Sequence, residues 1–347
     1  MGAKTGIEWC HHTFNPWWGC TKVSPACDNC YAERDSKRYG YGEGGFRFPI
    51  WGKDAGRRVF GDGHWREPLA WNRAAEKDGV RRRVFCASMA DVMEDRPELA
   101  PDRERLYCLI EETPYLEWLL LTKRPQNFRR FLPEEWLQHP RPNVCGMTTV
   151  ESAACLWRAD DLLKTPFATR GLSMEPLLGA VDIQYHVWGQ SFDVTDPDYD
   201  APDGSMVGRF QRVGMTWEPV LPAIDWVIVG GESGSGARPT HPEWVRQIRD
   251  ICVRSRVPFL FKQWGDWAPG ECVADSRKHP SCVLFDERWV ECSDDWVDEA
   301  DLGPIMYRVG KKAAGRLLDG RQWCEFPIPV TVTPHGRGPA AKRGGRA

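Results

Sequence analysis

The chain repeats one pattern: a short apolar run, polar residues at its end, then a helix-like stretch. Val84–Ala87 leads into Ser88, Met89 and Asp91, and Trp118–Leu121 into Thr122, Lys123 and Arg124. "NVCGMTTVES" ends near Thr148 and Glu151, and "TRGLSMEPLLG" at Ser173 and Glu175. "IDWVIVGGESGSGARP" ends at Gly230, Gly231 and Glu232, and "VPFLFKQWGDW" at Lys262 and Gln263. Apolar runs of this length suit strands buried on both faces. Most lie about 25–35 residues apart, close to the roughly 30 residues of a βαβ unit. Helical segments fit between them. "RPELAPDRERLYCLIEET" carries Pro97 near its start, and "HPEWVRQIRDICVRS" puts Trp244, Ile248 and Cys252 four apart on one face. The pattern predicts an α/β fold with a parallel sheet. Polar residues after nearly every strand favour a barrel, in which function collects at the C-terminal strand ends.

Two regions break the rhythm, which divides the chain into a partial barrel over 1–265 and an extension packed on it over 266–330. Within the barrel, 183–222 forms an aromatic, acidic insert that reads as a hairpin or lid. Residues 331–347 are basic and rich in Gly and Ala, the composition of a disordered tail. No apolar run is long enough to cross a bilayer and the N-terminus lacks the pattern of a secretory signal, so a cytoplasmic protein is expected. A net charge of -3 does not demand a polyanion partner. Tryptophan, with 18 residues, is abundant enough for some flat faces to hold a planar substrate outside the core.

There are 13 cysteines, an odd number, mostly scattered. Cys86, Cys108, Cys145, Cys155 and Cys252 sit in apolar or helical surroundings and read as small buried hydrophobes. Cys20, Cys27 and Cys30 differ. They form Cys-x6-Cys-x2-Cys in "GCTKVSPACDNCYAE", with Tyr31 directly after the last. Three thiolates select zinc, copper(I) or an iron–sulfur cluster. A structural zinc site needs a fourth ligand, for which Cys10, His11 and His12 are nearest. A cubane cluster on three cysteines would leave one iron open to a substrate or cofactor. There is no Ser–His–Asp order and no His-Glu-x-x-His motif, and His241, like His11 and His12, reads as an ordinary loop histidine.

The cysteine stretch resembles the cluster loop of radical S-adenosylmethionine (radical SAM) enzymes, with a three-residue expansion of their usual spacing. Along most of its length the chain is similar to an uncharacterised phage and bacterial family that itself resembles those enzymes. The shared stretches are "TGIEW", "GCTKVSPACDNCYAE", "SMAD", "LLLTKRP", "LSMEPLLG", "WVIVGGESGSGARP", "FKQWG" and "VGKKAAGRLLDG". The resemblance implies a partial (β/α) TIM-like barrel whose first loop holds a [4Fe-4S] cluster on Cys20, Cys27 and Cys30. The open iron would bind SAM, and one electron would release a 5′-deoxyadenosyl radical that abstracts hydrogen from the substrate. An electron donor of the flavodoxin or ferredoxin type follows as partner, with a nucleic acid or nucleoside as the expected substrate and a peptide or small metabolite as the alternative.

Relatives usually carry Gly-Gly-Glu after the second strand, where this chain has Ser88-Met89-Ala90-Asp91. Ser88 and Asp91 are the replacements expected at the SAM ammonium, since a carboxylate suits an ammonium. Thr122, Lys123, Thr148, Ser173 and Glu175 are the other cofactor candidates, and Lys123 suits a carboxylate or phosphate. The bland reading of Lys123 and Arg124 is a salt bridge to Glu175 or Glu151. Arg124, Gly230, Gly231 and Glu232 are the substrate candidates, and Tyr31, Glu232 and Lys262 the catalytic ones. Tyr31 would shield the cluster or simply pack in the core. The Gly-rich loop lacks the lysine of a Walker-type loop. The competing function is a non-catalytic, zinc-binding module for nucleic acid.

Overall fold

The computed structural model describes residues 5–42, 45, 47–187, 210–213, 216–219, 224–285, 287–292 and 303–327. Its centre is a seven-stranded parallel sheet whose strands follow one another in chain order. They are β1 (His12–Thr13), β2 (Arg82–Cys86), β3 (Leu116–Thr122), β4 (Val144–Thr149), β5 (Thr169–Met174), β6 (Trp226–Gly230) and β7 (Phe259–Gln263). β1 and β7 are the two ends of the sheet and do not pair, so the barrel is partial. The predicted α/β partial barrel is therefore the fold found. Every neighbouring pair is parallel, from His12 against Val84 at one edge to Ile228 against Leu260 at the other.

Side chains alternate along each strand, so each run splits its apolar residues between two cores. Phe85, Leu119, Cys145, Met147, Trp226, Ile228 and Leu260 form one cluster with Trp9. Trp9 lies 4.6 Å from Phe85 and 6.4 Å from Trp226, ring centre to ring centre. This cluster fills the inside of the curl. Val84, Trp118, Leu120, Leu172, Val227 and Phe261 point the other way, into the larger core shared with the helices.

The helices that cover this outer face are α2 (Asp62–Asp78), α3 (Ala100–Glu111), α4 (Trp157–Leu163) and α5 (Pro242–Arg254), whereas α1 (Tyr31–Lys37) follows the cysteine loop and buries Ala32 with Trp18, Tyr41, Ile50 and Met89 in a third cluster. α5 shows why the sequence folds this way. Pro242 suits the first helical turn, and the backbone N–H of Glu243 donates to His241 Nδ1 at 3.2 Å. Val245, Ile248, Ile251 and Cys252 then recur on one buried face. Ile248 and Ile251 each contribute roughly 1.5–3 kcal/mol by full burial. α2 stops at Gly79, whose φ of 66° is the left-handed conformation that glycine adopts most readily. One cysteine expectation fails: Cys108, on α3, is exposed, whereas Cys86, Cys145, Cys155 and Cys252 are buried. Cys108 falls between the buried Tyr107 and Leu109 at the margin of the helix's apolar face.

After β7 the chain builds a four-stranded antiparallel sheet of Trp267–Pro269, Met306–Arg308, Ser281–Phe285 and Arg288–Glu291, in that order across the sheet. A later segment returns to the barrel. Cys324 pairs with Leu260, Trp226 Nε1 donates to the Glu325 carbonyl at 3.0 Å, and Phe326 stacks under the Arg83 guanidinium at 3.9 Å. Arg83 is on β2 and Trp226 on β6, so Phe326 spans the curl. Of the insert expected at 183–222, the helix Gln184–Val187 and the antiparallel pair Phe210–Val213 and Thr216–Pro219 are described. The rest of that insert and the tail at 331–347 lie outside the described residues. Among the described residues, no helix is long and apolar enough to cross a membrane.

Candidate active site

A cavity of ≈ 300 Å³ opens at the C-terminal ends of the strands, above the aromatic filling of the curl. Cys20, Cys27 and Cys30 line it, together with Tyr31, Ser88, Asp91, Thr122, Lys123, Arg124, Ser173, Glu175 and Lys262. Twelve of the sixteen residues singled out from the sequence thus share one cavity. Thr148, Gly230, Gly231 and Glu232 do not line it.

The cysteine loop leaves β1 through the strand Trp17–Trp18 and turns at Gly19, whose φ is 108°. A Cβ there would run into the Ile50 carbonyl, so only glycine fits. Buried guanidinium groups hold the Cys20 end. Arg124 Nη1 donates to Cys20 Sγ at 3.6 Å and to Asp91 Oδ2 at 2.7 Å, while Nη2 donates to the Thr21 carbonyl at 2.7 Å. Arg57 bonds both oxygens of Glu94 at 2.8 and 2.9 Å and the Thr21 hydroxyl at 3.0 Å. Burial pushes the Cys20 thiol up, as does Asp91, against the pull of Arg124, to about 12. Burial likewise raises Cys30.

Asp91 ties two strand ends together. Its carboxylate accepts from Thr122 Oγ1 at 2.6 Å, the Met93 N–H at 3.0 Å, the Lys123 N–H at 3.1 Å and Arg124. Burial pushes this carboxyl up, but Arg124 and the hydrogen bonds outweigh it and hold it below the usual range. Ser88 sits beside Asn15, whose Nδ2 donates to Ser88 Oγ at 3.1 Å. Tyr31 has a half-exposed ring, and its hydroxyl donates to the Ser88 carbonyl at 2.8 Å. Burial of that hydroxyl raises its pKa.

The opposite wall follows from strand alternation. Cys145 and Met147 point into the curl, so the next inward position on β4 is Thr149, which lines the cavity. Thr148 points outward and its hydroxyl donates to the Thr122 carbonyl at 3.0 Å. Choosing Thr148 from the sequence missed the phase by one residue; counting from Met147 gives Thr149. On β7 the inward position is Lys262, whose Nζ pairs with Glu175 Oε1 at 2.9 Å. Gly230 makes room for this pair, because a Cβ there would meet the Glu175 carboxylate.

Lys123 is placed differently from the salt bridge that its neighbours in sequence allowed. Glu175 is taken by Lys262, and Glu151 by Arg158 Nη1 at 2.7 Å. Lys123 Nζ instead donates to Thr149 Oγ1 at 3.3 Å. Among the described residues no carboxylate forms an ion pair with it, so a cation faces the cavity with donors to spare.

Glu232 belongs to a clasp beside the cavity. Its carboxylate accepts from the N–H, Nε and Nη2 of Arg238 at 2.8, 2.8 and 2.7 Å, and from Asn29 Nδ2 at 3.0 Å. Asn29 lies between Cys27 and Cys30, and also donates to the Gly236 carbonyl at 2.6 Å. Arg238 Nη2 reaches the Pro25 carbonyl at 3.0 Å. Burial pushes Glu232 up, but the Arg238 bonds hold it below the usual range. Gly231 packs against the Trp264 carbonyl, leaving no room for a Cβ. Sequence reasoning missed Asn29, Arg57, Glu94 and Arg238; Asn29 bonds a residue 203 positions away and Arg57 one 37 positions away, whereas Arg238 stands only six residues from Glu232 and was within reach of a local reading.

Among the described residues, no three His, Cys, Asp or Glu side chains converge as ligands of one metal ion. A tetrahedral zinc–thiolate site, with Zn–S near 2.3 Å, would draw its sulfurs to within about 3.8 Å of one another. A cubane gives each sulfur its own iron and spreads them wider. The possible fourth ligands lie elsewhere. Cys10 belongs to the inner core cluster, His11 Nδ1 accepts from the Arg83 N–H at 2.8 Å, and His12 stacks on Trp71 at 4.5 Å. The donor set is three thiols lining one cavity, with a guanidinium on the Cys20 sulfur.

Fold and cavity together define a partial parallel α/β barrel with a thiol-lined site at its C-terminal mouth. The chain belongs to the family described as "Protein of unknown function (DUF5131)", which matches residues 4–327. No curated protein matches it. Among solved structures it is similar to a double mutant of spore photoproduct lyase with bound AdoMet and dinucleoside spore photoproduct. The TM-score is 0.36 and the identity 10%, over 86% of this chain and 68% of that one. A single mutant of the same enzyme gives a TM-score of 0.36 and 10% identity over 82% and 69%. A TM-score of 0.36 is too low to carry any property from that enzyme to this chain.

Proposed function

We propose that this protein is a radical SAM-type enzyme acting on a nucleic acid or nucleoside, with a [4Fe-4S] cluster on Cys20, Cys27 and Cys30. The observation that carries the reading is the one cavity these thiols share with Lys123, which has no ion pair among the described residues, the Glu175–Lys262 pair, Thr149 and Ser173. The cluster and SAM would supply one-electron cleavage of a carbon–sulfur bond and a 5′-deoxyadenosyl radical. The chain's own residues hold and orient. Lys123 offers a cation for a carboxylate, and Glu175, whose Oε1 pairs with Lys262, would offer its other carboxylate oxygen to an ammonium, which suits the two ends of an amino acid. Arg124 stabilises thiolate at Cys20, as hydrogen bonds beyond the ligands do at metal sites. Trp9 and Phe85 line the cavity floor and exclude water beneath it. The zinc-module alternative loses support because Cys10, His11 and His12 do not line the cavity.

Protein purified without oxygen should be brown and carry about four irons per chain. Dithionite with SAM should then yield 5′-deoxyadenosine, and Cys27→Ala should abolish both the colour and the product. A colourless protein with one zinc per chain, or unchanged product from Cys27→Ala, overturns the proposal.

A further inference from the structure

The cavity does not end at Tyr31. A second hollow of ≈ 290 Å³ shares Tyr31 and Ser88 with it, and a third of ≈ 230 Å³ shares Thr13 and Tyr39 with the second. The three adjoin one another in a row, from the thiols past the half-exposed Tyr31 and Tyr39 to Arg58, and are together termed the groove. Arg58 is unusual in its company. Its guanidinium lies 4.4 Å from the centre of the Trp18 ring, 4.7 Å from Phe60 and 5.5 Å from Tyr41. Ring faces satisfy the flat side of a guanidinium but none of its five N–H donors. Among the described residues no carboxylate or carbonyl accepts from the Arg58 side chain. Arg57, its neighbour, has every donor nitrogen engaged. Thr13 lines both outer hollows, and its buried hydroxyl also finds no partner.

We propose that this groove is a nucleotide subsite: a base stacks on the exposed face of Tyr39 and its phosphate takes the Arg58 fork. The inference rests on the reading of the thiol cavity as the reaction site, and it names the class of substrate delivered there. Two features fit the occupant. A flat aromatic face takes any base, and a guanidinium whose N–H donors find no protein acceptor among the described residues binds a phosphate bidentately. Asp35, which lines the middle hollow, already faces Arg34 and Arg38 at 3.7 Å, so its charge is offset. With a net charge of -3, the chain cannot gather nucleic acid by bulk attraction, and recognition has to be local.

The test uses the full chain and a fluorescent single-stranded 10-mer oligodeoxynucleotide, read by anisotropy at several salt concentrations. Arg58→Gln should weaken binding about tenfold and flatten the salt dependence by about one phosphate. Tyr39→Ala should weaken it about tenfold without changing that slope. Thermal melts by circular dichroism show whether each variant still folds. The wild-type protein supplies a test that needs no variant: it should bind a methylphosphonate 10-mer of the same sequence at least tenfold more weakly. Equal affinity for the two backbones, no binding of the 10-mer, or full affinity in a folded Arg58→Gln overturns the subsite. Cleavage of SAM by wild-type protein without nucleic acid tests the chemistry separately, so failure of the radical reading and failure of the subsite give different results.

Discussion

The two ends of the cysteine loop are held by the same chemistry in different surroundings. At Cys20, Arg57 meets Glu94 and Arg124 meets Asp91, with all four side chains less than a tenth exposed. At Cys27 and Cys30, Arg238 meets Glu232 with the guanidinium about a third exposed, and Asn29 carries the contact into the loop. The first end grips a sulfur directly through Arg124; the second is gripped through backbone, the Asn29 amide and, at 3.7 Å from Arg238, the Asp28 carboxylate. Buried pairs are costly to break, because removing one partner strands a charge away from water. Half-exposed pairs lose less, because water replaces the missing group. The loop therefore has a rigid end, and an end that can yield without unfolding the barrel.

Asp91→Ala is the sharpest break at the rigid end. It strands Arg124 and removes four accepted hydrogen bonds, so a loss of about 3–5 kcal/mol is expected. Urea titration of the apo protein should show it as a lower midpoint, and the purified variant should hold little iron. Glu232→Ala should cost only ~1–2 kcal/mol, because Arg238 can turn to solvent. Iron should load but leave faster under a chelator, since Asn29 loses one of its two hydrogen bonds and keeps only the Gly236 carbonyl. A Glu232→Ala midpoint as low as that of Asp91→Ala would erase the distinction between the two ends. Lys123→Met should be smaller still in stability, within about 0.5 kcal/mol, since no ion pair is lost. Its expected signature is weaker SAM binding by calorimetry with iron content unchanged.

How much of this was legible differs along the same lines. The strands announced themselves because residues buried on both faces leave continuous apolar runs. The polar residues just beyond those runs had to be near a common mouth, and Lys123, Ser173, Glu175 and Lys262 are. β1 escaped notice as a strand of its own, since the two residues His12 and Thr13 make no run. The clasp was illegible for another reason. Asn29 and Glu232 lie 203 positions apart, and nothing local to either predicts the pairing. Glu232 was noticed for its glycine neighbours, which proved to serve close packing: Gly230 makes room for Glu175 and Gly231 meets Trp264. Thr148 and Thr149 were separable only by the phase of β4, which the inward Met147 sets.

The smallest expected effect isolates the charge in the yielding end. Glu232→Gln keeps an oxygen for Asn29 but removes the negative charge facing Arg238. The wild-type carboxyl sits below its ordinary value of 4.5 in the folded state, because the Arg238 bonds outweigh burial. A depressed carboxyl stabilises the fold above its unfolded value, and that contribution is lost as pH falls through the folded value. The stability gap between wild type and Glu232→Gln should therefore be constant from pH 7 down to about 5 and shrink below about 4.5. Urea midpoints of the apo proteins across that range measure it. A gap that stays unchanged to pH 3 would mean that shape, and not charge, is what Glu232 supplies to the Cys27–Cys30 end of the loop.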